Sequence, residues 1–166
     1  MYFLVFIPFI IQGIVIAIDE GYFHLKRGLP RWERIGHPLD TLSVFICILY
    51  VLIVPFSYTA LQFYIILSVF SCVFVTKDEF IHKQLSPATE QWLHALLFLN
   101  HPIIFSSAGL MWYAMSYPQS ASLITAWLDH PVQIKYFLCV QTALVGSFFV
   151  YQAVYWNFIW KEKVKA

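Results

Sequence analysis

Acid–histidine pairs recur at one spacing in the first hundred residues. Four times an acid is followed four residues later by a histidine: Glu20 and His24, Glu33 and His37, Asp78 and His82, Glu90 and His94. On an α-helix, residues four apart share a face, so each pair can direct a carboxylate and an imidazole to one point. Nine acids and six histidines placed at random over 166 residues would give fewer than one such pair on average. The recurrence predicts a shared metal site, and these donors suit iron, manganese or zinc.

Composition predicts the elements that must position these pairs. The chain is 60% hydrophobic and only 11% charged, whereas soluble domains carry roughly 25% charged residues. A helix of about 20 apolar residues crosses the hydrocarbon layer of a membrane. Five stretches are long enough: 2–19 (continuing as helix to 24), 34–56, 58–83, 88–115 and 132–160. We therefore expect an all-α polytopic membrane protein with five transmembrane helices in a single domain, residues 1–166.

Charge placement predicts orientation. Nine of the ten basic residues fall in the first and third connections or after the last stretch, and only Lys135 falls on the other side. The positive-inside rule makes the lysine- and arginine-rich side cytoplasmic. We expect an integral protein of a bacterial inner membrane, with its N-terminus outside and its C-terminus in the cytoplasm. The net charge of +1 and the lack of a basic block argue against a nucleic-acid partner.

The pairs also indicate an internal repeat. Residues 19–40 and 78–94 share one order of acid, histidine, turn, acid and histidine. Each would form a helical hairpin, 1–57 and 58–116, in a parallel repeat of the kind some transporters show. Packed together, the hairpins would make a four-helix bundle with all pairs at one level. The fifth helix, 132–160, carries no pair, so we expect it at the periphery.

Two further residues extend the candidate ligand set. Asp40 lies seven residues after Glu33, and His101 lies seven after His94, so each shares the face of its pair two turns away. The predicted ligands are Glu20, His24, Glu33, His37, Asp40, Asp78, His82, Glu90, His94 and His101.

Alternatives remain open for four side chains. His101 can instead be a buried, hydrogen-bonded histidine, and Asp40 can pair with Arg31 or Arg34. Asp19 and Glu79 each stand one residue, or about 100°, away from the face of the neighbouring pair. We expect Asp19 and Glu79 to support the ligands or to be solvated.

The ligand pattern of residues 19–94 resembles that of the di-iron carboxylate four-helix bundles, including membrane-bound oxidases of the alternative-oxidase kind. In that family two helices each give a Glu and two give Glu-x2-His. This chain departs from the family, because its spacing is mostly x3 and all four helices offer a histidine. The resemblance implies two divalent metal ions, with iron favoured over zinc or manganese.

These observations favour a membrane-embedded di-metal enzyme at the cytoplasmic boundary. Its substrate would be a membrane lipid or another hydrophobic small molecule. With iron the enzyme would be an oxygenase, hydroxylase, desaturase or oxidase of lipid metabolism, and it would need an electron donor. With zinc it would be a hydrolase. A metal-ion transporter or metal-binding protein, a haem protein and a structural subunit are the other hypotheses.

Overall fold

The computed structural model describes residues 2–79, 86–117 and 131–161, and all regular secondary structure in these ranges is helical. Helix α1 begins as Ile7–Ile18, passes into a π-helix over Asp19–His24 and ends with Leu25–Arg27. Helices α2, α3 and α4 span Arg31–Ile53, Tyr58–Phe74 and Ala88–Ser116. Helix α5 spans Pro131–Val154 and continues as a π-helix over Tyr155–Ile159. Short 3-10 helices cover Tyr2–Val5 and Val75–Asp78.

Four of the helical segments are long and apolar enough to cross a membrane: Arg31–Ile53, Tyr58–Lys77, Ala88–Ser116 and Pro131–Ile159. Their outward faces carry exposed apolar side chains such as Phe63, Ile66 and Leu99, which suits contact with lipid. Helix α1 is not one of the four; its α-helical part has 12 residues and is followed by a π-helix that contains Asp19 and Glu20. The class of helical membrane protein is therefore supported, and a fifth crossing by α1 stays a prediction.

The interior of the bundle is apolar at one end and contains ionisable groups at the other. Away from the acid–histidine pairs lies an apolar core that includes Ile48, Tyr64, Met111, Trp112 and Leu138. There the indole Nε1 of Trp112 donates to the backbone oxygen of Val54, 2.9 Å away, at the end of α2. The opposite end of the bundle holds the buried ionisable groups.

Helix α5 carries no acid–histidine pair, and we expected it at the periphery of the bundle. It packs along much of α2, while α1 packs against α4, and α3 contacts both α2 and α4. The last turns of α5 also reach α1, because Tyr151 and Trp156 both bond to Glu20. The polar end of the bundle thus contains side chains from α5.

A tight turn joins α1 to α2. Gly28 has a φ of 78°, and a Cβ added to it would lie 2.6 Å from a ring carbon of Trp160. Only glycine fits this backbone conformation and this contact without strain. The turn therefore lies against the end of α5 and holds Arg27 and Glu33, on either side of it, close together.

Candidate metal centre

Four buried side chains from α1 and α4 meet at one point. One donor atom from each of Asp19, His24, Glu90 and His94 lies within 4.8 Å of the others. The Oδ2 atom of Asp19 is 3.2 Å from Nε2 of His24 and 3.4 Å from Nε2 of His94. Nε2 of His24 is also 3.7 Å from Oε1 of Glu90. We call these residues the four-residue group; their atoms could hold a metal ion.

The π-helix in α1 explains how Asp19 joins this group. In an α-helix, residues five apart are separated by about 140° around the axis. A π-helix follows an i to i+5 pattern instead, and such turns occur frequently at functional sites. Asp19 and His24 are the first and last residues of the π-helix, so their side chains reach the same point. Glu20, which the i to i+4 pattern favoured, lies to one side of it.

Glu20 holds the ring of His24 in place. Nδ1 of His24 is 3.1 Å from Oε2 of Glu20. The other oxygen of Glu20 accepts hydrogen bonds from Nε1 of Trp156 at 2.6 Å and from the hydroxyl of Tyr151 at 3.0 Å. A carboxylate beside Nδ1 favours the tautomer with its proton there, which leaves Nε2 with a lone pair.

Nε2 of His24 and Oε2 of Glu90, both in the four-residue group, lack a hydrogen bond among the described residues. Both side chains are almost fully buried, His24 at 2% exposed and Glu90 at 0%. Buried polar atoms are normally paired because leaving them unpaired costs free energy. Two such atoms facing a cluster of ligand-type side chains fit a bound cation.

A second group shares His24 and includes a basic residue. His24, Glu33 and His37 also bring donor atoms within 4.8 Å of one another, and the rings of His24 and His37 stack with centroids 4.9 Å apart. Arg27, however, bonds both oxygens of Glu33, at 3.0 and 3.2 Å. The same guanidinium donates to Oε1 of Glu90 at 2.8 Å.

The Arg27 guanidinium provides the positive charge beside these two carboxylates. Burial opposes its charged form, but the hydrogen bonds and negative charges of Glu33 and Glu90 outweigh this and raise the pKa of Arg27. Arg27 therefore stays protonated and neutralises part of the cluster without a metal.

Asp40 and His101, the two ligands predicted two turns away, have other partners. Asp40 forms an ion pair with Lys77 at 2.6 Å, rather than with Arg31 or Arg34 as we had considered. Nε2 of His101 lies 3.1 Å from the hydroxyl of Ser71, which bonds Ser43 in turn. The structure thus places both outside the two groups of converging donors.

The remaining candidates belong to the second hairpin. Glu79 is partly exposed, and its Oε2 is 3.9 Å from Nδ1 of His94. His82 and the side chain of Asp78 lie outside the described residues, so their role as ligands stays a prediction.

A cavity of about 600 Å³ leads away from the four-residue group. Its polar end is lined by Asp19, His24 and His94. Its far end is lined mainly by apolar side chains such as Phe9, Ile48 and Ile104, together with Gln12 and His101. Pockets of 300–1,000 Å³ with mostly apolar walls and a few polar groups are typical of small-molecule sites.

Three residues of this site could not be found from the acid–histidine pattern. Arg27 looked like one of several cytoplasmic basic residues, while Tyr151 and Trp156 looked like part of an apolar helix. The last two lie more than 130 residues from Glu20 in the chain. Their only sequence signal was aromatic character near a helix end, which also fits a membrane-interface anchor.

No family model, no curated protein and no solved structure matches this chain.

Proposed function

We propose that the protein is a metal-dependent membrane enzyme whose ion lies in the four-residue group and whose substrate is lipid-like. The observation that carries the proposal is the continuity of the cavity, which joins ligand-type side chains at one end to apolar side chains at the other. A purely structural cluster needs no such cavity. A purely apolar pocket would not need buried acids and histidines at its end, because ionisable groups within a membrane protein are costly and usually functional.

We place one ion in the site. Asp19, His24, Glu90 and His94 supply two imidazoles and two carboxylates, a donor set that suits iron, manganese or zinc. The second ion of our sequence-based hypothesis would need Glu33, both oxygens of which bond Arg27. The guanidinium supplies the cation at that position, so a stoichiometry of one is the simplest expectation.

With iron bound, the site would supply oxygen activation for hydroxylation of a carbon–hydrogen bond. The balanced reaction consumes dioxygen, two electrons and two protons and releases water, so it requires an electron donor. The chain's own residues would hold the ion, neutralise its surroundings through Arg27, and exclude water by burial of the group. Two histidines with carboxylates are typical of non-haem iron oxygenases, which makes oxidation our leading expectation.

Hydrolysis by a zinc ion is the second candidate. Oε2 of Glu90 is buried and lacks a hydrogen bond among the described residues. If Asp19, His24 and His94 alone held the zinc ion, this oxygen could accept the proton of a zinc-bound water, whose pKa zinc lowers to about 7. Transport is less well supported. Beyond His101, the buried residues of α4 are mainly apolar: Ile104, Phe105, Ala108 and Met111.

The test is metal analysis of protein purified from membranes without chelator and without a histidine tag. We expect about one iron or zinc per chain, and the metal present separates oxidation from hydrolysis. Asp19→Asn combined with His94→Ala should abolish binding, whereas Asp40→Asn should leave it unchanged. Wild-type protein that stays metal-free after incubation with each ion would refute the proposal, and two ions per chain would restore the di-metal hypothesis.

A further inference from the structure

The cavity opens sideways, between α1 and α5. Four of its lining residues are exposed on the outer surface of the protein: Gly13 and Ala17 on α1, and Leu144 and Ser147 on α5. Leu144 is 59% exposed, and no side-chain atom stands within 4 Å of where a Cβ of Gly13 would lie. The opening is therefore formed by small residues on one side and by an exposed edge of α5 on the other.

Contacts between α1 and α5 frame the opening at both ends. On the apolar side, the ring of Phe137 packs on Phe6 and Phe9, with centroids 4.4 and 5.3 Å apart. On the polar side, Tyr151 and Trp156 bond to Glu20. The two helices are thus in contact at both ends of the gap. The gap is therefore a bounded opening between α1 and α5 in the side of the bundle. Because α5 is long and apolar enough to cross a membrane, we expect this opening to face the hydrocarbon region.

The cavity is slightly deeper than one leaflet. It is lined on α1 from Phe9 to His24 and on α5 from Gln141 to Gln152. At 1.5 Å per residue, these stretches correspond to about 22 Å and about 16 Å. This is between half and three quarters of the roughly 30 Å hydrocarbon layer. A single acyl or isoprenoid chain from one leaflet would fill that depth.

Polarity fixes the direction in which such a chain lies. The ends of α1 and α2 that carry the cluster join at a turn and so lie at a membrane boundary, while the apolar end of the cavity lies deeper. A polar head placed at the deep end would lose its hydration, and Gln12 and His101 there would replace it only in part. With the tail deep, the head meets the four-residue group and the half-buried Glu79.

We propose that a single-chain lipid enters this opening from the bilayer and lies with its polar end at the four-residue group. The reacting bond of the lipid then lies at or beside its polar end and not at its terminal methyl group. This inference rests on the proposed function, because it assigns the substrate class and its orientation at the same metal site.

The test uses two photoreactive fatty acids in phosphatidylcholine vesicles containing the metal-loaded protein. One carries a diazirine beside the carboxyl group and the other beside the terminal methyl. We expect the first to label peptides containing Asp19 or His94, and the second to label those containing Phe9, Ile48 or Ile104. The reverse pattern, or equal labelling of both regions by both probes, would overturn the orientation.

Side entry is tested by filling the opening. Gly13→Trp, or Ser147→Trp across the gap, should reduce labelling by both probes about tenfold, equivalent to 1.4 kcal/mol. Ile14→Trp is the matched control, since Ile14 is exposed on the same helix but does not line the cavity. Metal content is measured on each variant to show that the site is intact.

The outcomes separate the two proposals. If metal-loaded wild-type protein is labelled but both tryptophan variants are labelled equally well, side entry is wrong and the proposed function stands. If the wild type binds no metal, the proposed function itself fails. Excess unlabelled palmitate should reduce labelling by both probes if they occupy a saturable site. If the wild type binds metal but palmitate does not reduce the labelling by either probe, the lipid substrate class is wrong.

Discussion

Nε2 of His24 lies 3.2 Å from Oδ2 of Asp19, although the two residues are five positions apart on one helix. The π-helix over Asp19–His24 makes this contact possible. In this π-helix Glu20 lies beside the other ring nitrogen of His24, Nδ1, and Trp156 donates a hydrogen bond to Glu20. One extra residue in a helical turn thereby exchanges the roles of two neighbouring acids. The consequence is a candidate ligand set of Asp19, His24, Glu90 and His94.

His94 and His101 provide a matched pair on α4. We expect His94→Ala to remove the bound metal, because Nε2 of His94 belongs to the four-residue group. His101→Ala should leave the metal stoichiometry unchanged, because Nε2 of His101 bonds Ser71 instead. Metal analysis of both purified variants checks this. Loss of metal in the His101 variant would mean that the site extends further into the bundle.

Glu20→Gln should weaken metal binding without abolishing it. Removing the carboxylate that orients a ligating histidine typically costs about 10–100-fold in affinity. The measurement is a competition titration with a chelator of known affinity. Asp40→Asn is the control, because Asp40 pairs with Lys77 outside the group. An unchanged affinity in Glu20→Gln would show that His24 is not held by Glu20 when metal is bound.

Trp156→Phe should lower the stability of the folded protein. The indole donates at 2.6 Å to a buried carboxylate, and hydrogen bonds to charged groups contribute about 1.5–3 kcal/mol. The denaturation midpoint in detergent is the readout. Tyr155→Phe serves as the control, since the described residues give its hydroxyl no hydrogen bond. A midpoint that stays unchanged in Trp156→Phe, as we expect for Tyr155→Phe, would show that the bond to Glu20 adds no stability.

Arg27→Gln should destabilise the metal-free protein more than the metal-loaded one. Glu33 and Glu90 are fully buried and would lose their shared cation. Removing one partner of a buried ion pair costs about 3–5 kcal/mol, and the 24% exposure of the Arg27 side chain reduces our expectation to about 2 kcal/mol. Thermal unfolding with and without added metal measures the difference. The exposed Lys26→Gln removes the same charge nearby and should have little effect.

Gly28→Ala should destabilise the turn between α1 and α2. A non-glycine residue in this backbone region costs about 1–3 kcal/mol, and the new Cβ would clash with Trp160. Gly21→Ala is the control, because its Cβ would meet nothing within 4 Å and alanine favours a helix. Unfolding midpoints of the two variants give the comparison. A neutral Gly28→Ala would contradict both the positive φ of this residue and the close contact with Trp160.

The sequence by itself determined the class of fold and the region of the site. Long apolar stretches can satisfy their backbone hydrogen bonds in a membrane only as helices or closed barrels, and their lengths fit helices. Local spacing placed His24, Glu90 and His94 among the candidates, because neighbours on a helical face depend only on helical geometry. The convergence of α1 and α4 followed from pairing the hairpins.

Only the tertiary structure decided which acids and bases meet. The π-helix brought in Asp19, the turn at Gly28 placed Arg27 on Glu33, and α5 carried Trp156 to Glu20. Asp40 and His101 share a helical face with their pairs but bond Lys77 and Ser71. A periodic pattern specifies the face of a helix and not its partners. Those partners depend on packing between segments far apart in the chain, and local spacing carries no information about that packing.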